Sequence, residues 1–260
     1  ESKKLLFFYG LPVVQTEVAA NKEEAVSMAE KMGYPIVLKL HSLTITHKTD
    51  VGGVKLNLQN AQMVAAAFDE IQSSVAKHVG KEHFQGVSVQ KMITLKGYEL
   101  IIGSIVDPQF GPVILFGTGG ELVEVFQDKA IGIPPLTATL AAQMMQKTKI
   151  YHALEGVRGK KGIDFARLEQ ILIRFSKMIV EVPRIKECDI NPLIVSADGM
   201  VALDARVVLH DFSIPDEKLP QAAIRPYPVQ YISSFSLKSG LHVVFRPMRP
   251  EDEPLLVVFH

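Results

Sequence analysis

Apolar residues recur along this chain at two spacings, every three or four residues and every second residue, and their succession predicts mixed helix and strand. Residues 2 to 9 predict a short helix stopped by Gly10, with Leu11 to Val14 extended after it. Asn21 can cap a second helix and Glu24 sits three residues on, as a capping box requires. Ala25, Met28, Ala29 and Met32 form its apolar stripe, and Gly33 its stop. Pro35 to Leu40 reads as a short β-rich run and Val54 to Leu58 as an alternating strand; the polar stretch between them includes Thr46-His47-Lys48-Thr49-Asp50 and closes on Gly52-Gly53. Helical spacing returns in Val64, Ala67, Phe68, Ile71 and Val75. Two strands at 86 to 92 and 98 to 106 follow, with a turn expected at Lys96-Gly97.

The second half opens on a buried strand, Pro112 to Phe116, that runs into Gly117-Thr118-Gly119-Gly120. From Asp164 a helix carries Leu168, Ile171, Leu172, Phe175, Met178 and Ile179 on one face until Pro183 ends it. Strands at 185 to 195 and 200 to 209, joined by Ala197-Asp198-Gly199, predict a hairpin. Residues from about 211 to 231, rich in proline and polar side chains, read as a linker, and His242 onward reads as the opening of a further domain.

Composition narrows the picture. With 260 residues, 47% of them hydrophobic, the chain can bury one large core or two lobes that share a cleft. Lys plus Arg and Asp plus Glu both total 28, so no charge excess recommends a nucleic-acid or membrane partner, and any anion site must be local. Cys188 is the only cysteine and has no internal disulfide partner. With no leader-like opening and no apolar run near a membrane span, the expected compartment is the cytoplasm. Both ends, Glu1 and His260, are expected to be cut points in a longer polypeptide.

Candidate chemistry gathers in four places. Asp189 and Asn191 lie two apart on one strand and so share a face, and the hairpin can bring Asp204 beside them. Two carboxylates and an amide oxygen there suit a hard cation such as Mg²⁺, or serve as a strand end and an ordinary ion pair. Lys39 stands among Val, Ile and Leu, where it either snorkels to water or meets an anion such as phosphate. Gly117, Gly119 and Gly120 allow backbone N–H groups to approach phosphate oxygens, although a tight turn needs glycines too. His47, in a polar loop bounded by glycines, has the access that a phosphoryl-accepting imidazole needs and that any exposed histidine has.

In order and wording these motifs resemble the ATP-grasp domain of the NDP-forming acyl-CoA synthetases, relatives of the succinyl-CoA synthetase β subunit. The resemblance is carried by Tyr34-Pro35-Ile36-Val37-Leu38-Lys39, the run from Ile45 to Val54, Asp107-Pro108-Gln109-Phe110-Gly111-Pro112, Phe116 to Gly120, Cys188 to Leu193, and Ala202 to Arg206. It covers roughly residues 1 to 210. Ala223 to Pro228 and Phe245 to Leu255 are similar to the junction into a GNAT acetyltransferase in protein lysine acetyltransferases that carry such a region.

The resemblance implies an α+β, ATP-grasp fold of two α/β lobes around a nucleotide cleft. It divides the chain at 1–92 and 93–210 into two subdomains, with a linker at 211–240 and a truncated GNAT start at 241–260. It implies that Lys39 and the glycine loop contact phosphates of ATP or ADP and that the backbone at Gln90, Lys91 and Met92 holds adenine. Asn191 and Asp204 would bind Mg²⁺, and Glu99 and Asp189 would line the phosphoryl site. His47 matches a phosphohistidine that relays phosphate in the reaction acyl-CoA plus ADP plus phosphate to acid, CoA and ATP, or its reverse. Implied partners are CoA-binding and ligase-CoA domains, in the same protein or a partner subunit, and the GNAT domain. Lys91 and Gly132 depart from the family pattern, which often has glutamate and arginine there. The alternative is a module that senses nucleotide or acyl-CoA for the acetyltransferase without turnover.

Overall fold

In the computed structural model, which describes residues 1–45, 48–120, 128–157, 161–224, 231–249 and 252–259, the strand-forming segments sort into two antiparallel sheets and a separate hairpin. The smaller is built from β1 (Thr16–Ala19), β2 (Ile36–Leu40), β3 (Val54–Leu58) and β4 (Val87–Lys91), in the order β1-β4-β2-β3. Helices α2 (Lys22–Met32) and α3 (Ala61–His78) cover one face. Ile36, Leu38 and Leu40 point into that core with Val64, Phe68, Ile71 and Val75, which leaves the face of Val37 and Lys39 for something else. The capping box read from the sequence is present: Asn21 accepts from the Glu24 amide at 2.9 Å, and Glu24 reaches back to the Ala20 amide at 2.8 Å.

The larger sheet runs β10 (Ala205–Leu209), β8 (Ile185–Ser196), β5 (Tyr98–Asp107), β6 (Gly111–Thr118) and β7 (Lys129–Gly132), with β9 (Gly199–Ala202) also paired to β8. Helices α4 (Ala138–Gln146), α5 (Ile150–Leu154) and α6 (Phe165–Glu181) pack on it. Along α6 the expected stripe, Leu168, Ile171, Leu172, Phe175, Met178 and Ile179, is buried, and Asp164 caps its start through the Arg167 amide at 3.0 Å. The first helix, α1 (Ser2–Phe8), belongs to this core as well. Leu6 and Leu11 are buried in it, and residues 12 to 14 run beside β9, with Val14 N–H donating to the Ala202 carbonyl at 3.0 Å. The N-terminal segment therefore starts on one unit and delivers its first strand, β1, to the other.

Two sequence expectations are corrected here. The turn expected at Lys96-Gly97 does not join neighbouring strands: β4 lies between β1 and β2, whereas β5 lies between β8 and β6, so residues 92 to 97 cross from one sheet to the other. The strand expected at 200 to 209 is two strands, β9 and β10, that break at Leu203-Asp204 without losing register against β8. Short segments β1, β7, α4 and α5 had no distinct periodic signal. The proline-rich stretch expected to be a linker is docked as far as Ala222. Leu219 and Ala222 are buried, Arg184 donates to the carbonyls of Asp211 and Ile214, and Arg184 also pairs with Asp216. Beyond it a two-stranded hairpin, β11 (Ser233–Ser236) with β12 (His242–Phe245), precedes α7 (Glu253–Phe259). Among the described residues no helix is long and apolar enough to cross a membrane.

Candidate active site

Between the cleft-facing side of the small sheet and the β9–β10 break lies a cavity of about 480 Å³. Its walls include Lys3, Lys48, Thr16, His41, Ser88, Gln90 and Asp204. Strand alternation explains the small-sheet side. Val37 pairs with Gln90 and Lys39 with Ser88, so the residues that do not enter the α2–α3 core face the opposite way. Lys39 crosses to the other unit, its Nζ 3.4 Å from Asp204 Oδ2.

Asp204 owes its position to the ladder. Ala205 pairs with Ile190, Arg206 with Asp189, and Leu203 N–H donates to the Pro192 carbonyl at 3.0 Å, so Asp204 stands opposite Asn191. Burial works to raise the Asp204 carboxyl, but Lys39, Lys48 and Lys3, with the Ala205 amide bonded at 3.0 Å, together hold it below the ordinary carboxylate range. Asn191 Oδ1 accepts from the Gly120 amide at 2.9 Å. An ionised carboxylate and an amide oxygen are hard donors of the kind that Mg²⁺ takes alongside waters and phosphate oxygens. They fit that ion without forming a full protein cage, and among the described residues no three His, Cys, Asp or Glu side chains do so either.

The other candidate residues divide. Gln90 lies in the cavity wall and is 5% exposed. Lys91 turns its ammonium to the carbonyls of Gly33 and Tyr34 at 2.7 and 2.9 Å, and Met92 gives its amide to Pro35 at 3.0 Å. Asp189 is paired with Arg206 at 3.0 Å, an arginine that also binds Glu187 at 3.1 Å. Glu99 is exposed, its side chain beside Gly120 and its carbonyl accepting from the Gly119 amide at 2.7 Å. A Cβ at Gly119 would collide with the Leu100 backbone, and one at Gly117 with the Asp128 carbonyl, so close packing within the sheet also demands these glycines. His47 lies outside the described residues, one position before Lys48 in the cavity wall.

Two residues of the site have no role in the sequence reading. Lys3 Nζ donates to Thr16 Oγ1 at 3.1 Å in the cavity wall. Burial, then the nearby Lys39 and Lys48, push its ammonium down to about 7 against the opposing pull of Asp204. The signal available was a lysine three positions before Leu6, on the flank of a helix stripe that had to be buried. Lys48 lay inside a quoted motif but was overshadowed by its neighbour His47. Cys188 is a buried thiol pushed up to about 12 by desolvation, which leaves it inert as a nucleophile.

Comparison with known proteins places this geometry in context. The ATP-grasp domain family matches residues 1–209. The acetate–CoA ligase (ADP-forming) I subunit beta of Pyrococcus furiosus is 40% identical over 209 residues, 80% of this chain and 90% of that protein. The acetate–CoA ligase (ADP-forming) I of Archaeoglobus fulgidus is 43% identical over 209 residues, which are 80% of this chain and 30% of that longer one. Acetyl-coenzyme A synthetase 1 of Ca. Korarchaeum cryptofilum, solved with coenzyme A and Ca-AMPCP, superposes with a TM-score of 0.77 at 40% identity, covering 81% of this chain and 91% of that one. A second structure of that protein, with coenzyme A and Mg-AMPPCP, superposes with a TM-score of 0.70 at 38% identity over the same shares of the two chains. Its phosphohistidine segment points towards the nucleotide binding site.

Proposed function

This chain belongs to the ATP-grasp domain family of the ADP-forming acetate–CoA ligase β subunits, and on that premise we propose that it is the nucleotide-binding part of an NDP-forming acyl-CoA ligase. The observation that carries this reading is the meeting of opposite chemistries in one cleft: Asp204 facing Asn191 across the ladder, with Lys39 at 3.4 Å from the opposite wall. ADP or ATP lies there with its phosphates against Lys39 and its base towards Gln90. Asn191 and Asp204 would hold Mg²⁺, which would supply positive charge to offset that of the phosphates. In phosphoryl transfer most of the catalysis is such positioning and charge neutralisation.

His47 carries the phosphoryl group between this site and a distant acyl-phosphate site, in the reaction acyl-CoA plus ADP plus phosphate to acid, CoA and ATP or its reverse. Support comes from its place in the sequence next to Lys48, a wall residue, and from the phosphohistidine segment of the Korarchaeum relative. The CoA-binding and ligase-CoA parts reside elsewhere in the protein or in a partner subunit, consistent with a match to 30% of the Archaeoglobus ligase. Glu99, Asp189 and the glycine loop flank the transferred group.

A second reading, a module that reports nucleotide or acyl-CoA to an attached GNAT acetyltransferase without turnover, is favoured by the segment after residue 209. There β11, β12 and α7 leave Phe235, Val244, Phe245, Leu255 and Val258 exposed, apolar surface that further elements of an acetyltransferase would cover. Incubation with γ-labelled ATP separates the two. The relay predicts acid-labile label on the wild type and none on His47→Ala. Mg²⁺-dependent ADP binding without any label leaves the sensing reading, and no binding by calorimetry defeats both.

A further inference from the structure

We propose that Lys3 is a phosphate-binding residue of this cleft, contributed by the N-terminal helix to the oligophosphate of the nucleotide. The inference rests on the nucleotide-site reading above and adds a third cationic element to it.

The first argument is geometric. Leu6, fully buried, fixes α1 on the larger core, and one turn earlier Lys3 reaches into the cavity wall that Asp204 and Lys48 share. Its Nζ donates to Thr16 Oγ1 at 3.1 Å, and that hydroxyl donates to the Val14 carbonyl at 3.0 Å. The ammonium is therefore aimed, but by a neutral acceptor. Among the described residues no carboxylate lies within 4.0 Å of it.

The second argument is electrostatic. Lys3, Lys39 and Lys48 all act on the one carboxylate of Asp204. Glu1, Glu17 and Lys4 line the outer part of the cavity, but around Asp204 the three ammonium groups outnumber the carboxylate, which favours an anionic ligand at that end. The terminal phosphate of ADP extends negative charge towards the lysines, whereas AMP, itself close to a dianion at neutral pH, has no second phosphate to place among them. A merely structural role fits poorly: a half-buried lysine is a costly tether to a hydroxyl that a leucine or serine could replace.

The test uses the whole chain with Mg²⁺ and titrates ADP and AMP into the wild type, Lys3→Met, Lys3→Arg and Thr16→Val. Lys3→Met is expected to weaken ADP about tenfold or more and AMP by less than about threefold, while Lys3→Arg keeps ADP within about threefold. The melting temperature of ligand-free Lys3→Met at neutral pH is expected to be no lower than that of the wild type. A structural tether gives the opposite pattern, a lower melting temperature with ADP and AMP affected alike, and that result overturns the proposal. Unchanged ADP affinity in Lys3→Met, with the wild type binding, overturns Lys3 alone; a wild type that binds no ADP overturns the site and Lys3 together. Should Lys3→Met not fold, Thr16→Val decides: loss of the aiming hydroxyl must weaken ADP more than AMP.

Discussion

The two walls of the cleft differ in what they bring. The small sheet brings Lys39, on a strand face freed because Ile36, Leu38 and Leu40 take the core, and the loop before β3 brings Lys48. The larger sheet brings oxygens, Asn191 and Asp204, at a break in a ladder that keeps its register. Neither wall is a site alone. In the free protein they neutralise each other through Lys39 and Asp204, whose side chains are 15% and 37% exposed. A pair this wet is worth on the order of 1 kcal/mol or less, so a phosphate chain and a metal can exchange for it at small cost. The cleft is closed by the same charges that its ligand would use.

Asp204→Ala strikes the oxygen wall and should have the largest effect. It removes the proposed metal ligand and a carboxylate on which three lysines act, so ADP affinity in Mg²⁺ should fall at least about thirtyfold, and the dependence of affinity on Mg²⁺ should vanish. Calorimetry with and without the metal measures both. Lys39→Ala strikes the cation wall and should cost about tenfold while leaving the Mg²⁺ dependence in place. Equal loss of metal dependence in both variants would mean that the walls do not divide the work.

A smaller effect separates the two signs of charge by pH. Lys3 has its pKa lowered to about 7 from the ordinary 10.5, so the unfolded chain binds more protons between those values. Its contribution to stability therefore rises with pH across that window, and below about 7 the full penalty of burying the ammonium is present. Asp204 runs the other way: its lowered carboxyl contributes stability above the carboxylate range and loses it as acid protonates the group. Melting curves should show Lys3→Met above the wild type at pH 6 and the gap closing towards pH 10. A gap that is constant with pH would remove the charge from the explanation.

How much of this was legible depends on whether the signal was local. The capping box at Asn21, the α6 stripe and the 196–199 turn are local patterns, and each formed as read. The pairing of Asn191 with Asp204 was also legible, because a hairpin register follows from its turn. The turn expected at Lys96-Gly97 shows the limit: two adjacent strands look the same whether they pair with each other or belong to different sheets. Lys91 was legible as a strand residue, but not that its ammonium would end on Gly33 and Tyr34. Lys3 escaped for the same reason, since its neighbours Thr16, Lys39 and Asp204 come from three distant stretches of chain.

The smallest expected effect tests whether scaffold and site are separable at all. Asn21→Ala deletes the cap of α2, a helix that packs on β4 and β1 and reaches the cavity wall only through Met28, two turns from the cap. The loss should be about 1 kcal/mol in denaturant unfolding, because one helix amide loses its acceptor while the Glu24 half of the box remains. ADP affinity should not change, since Lys39 and Gln90 are held by the β2–β4 ladder rather than by the helix end. If affinity falls with stability, then the cation wall is positioned by α2 packing and not by strand alternation. The difference between the two walls would then lie in how firmly each is held as well as in the sign of its charge.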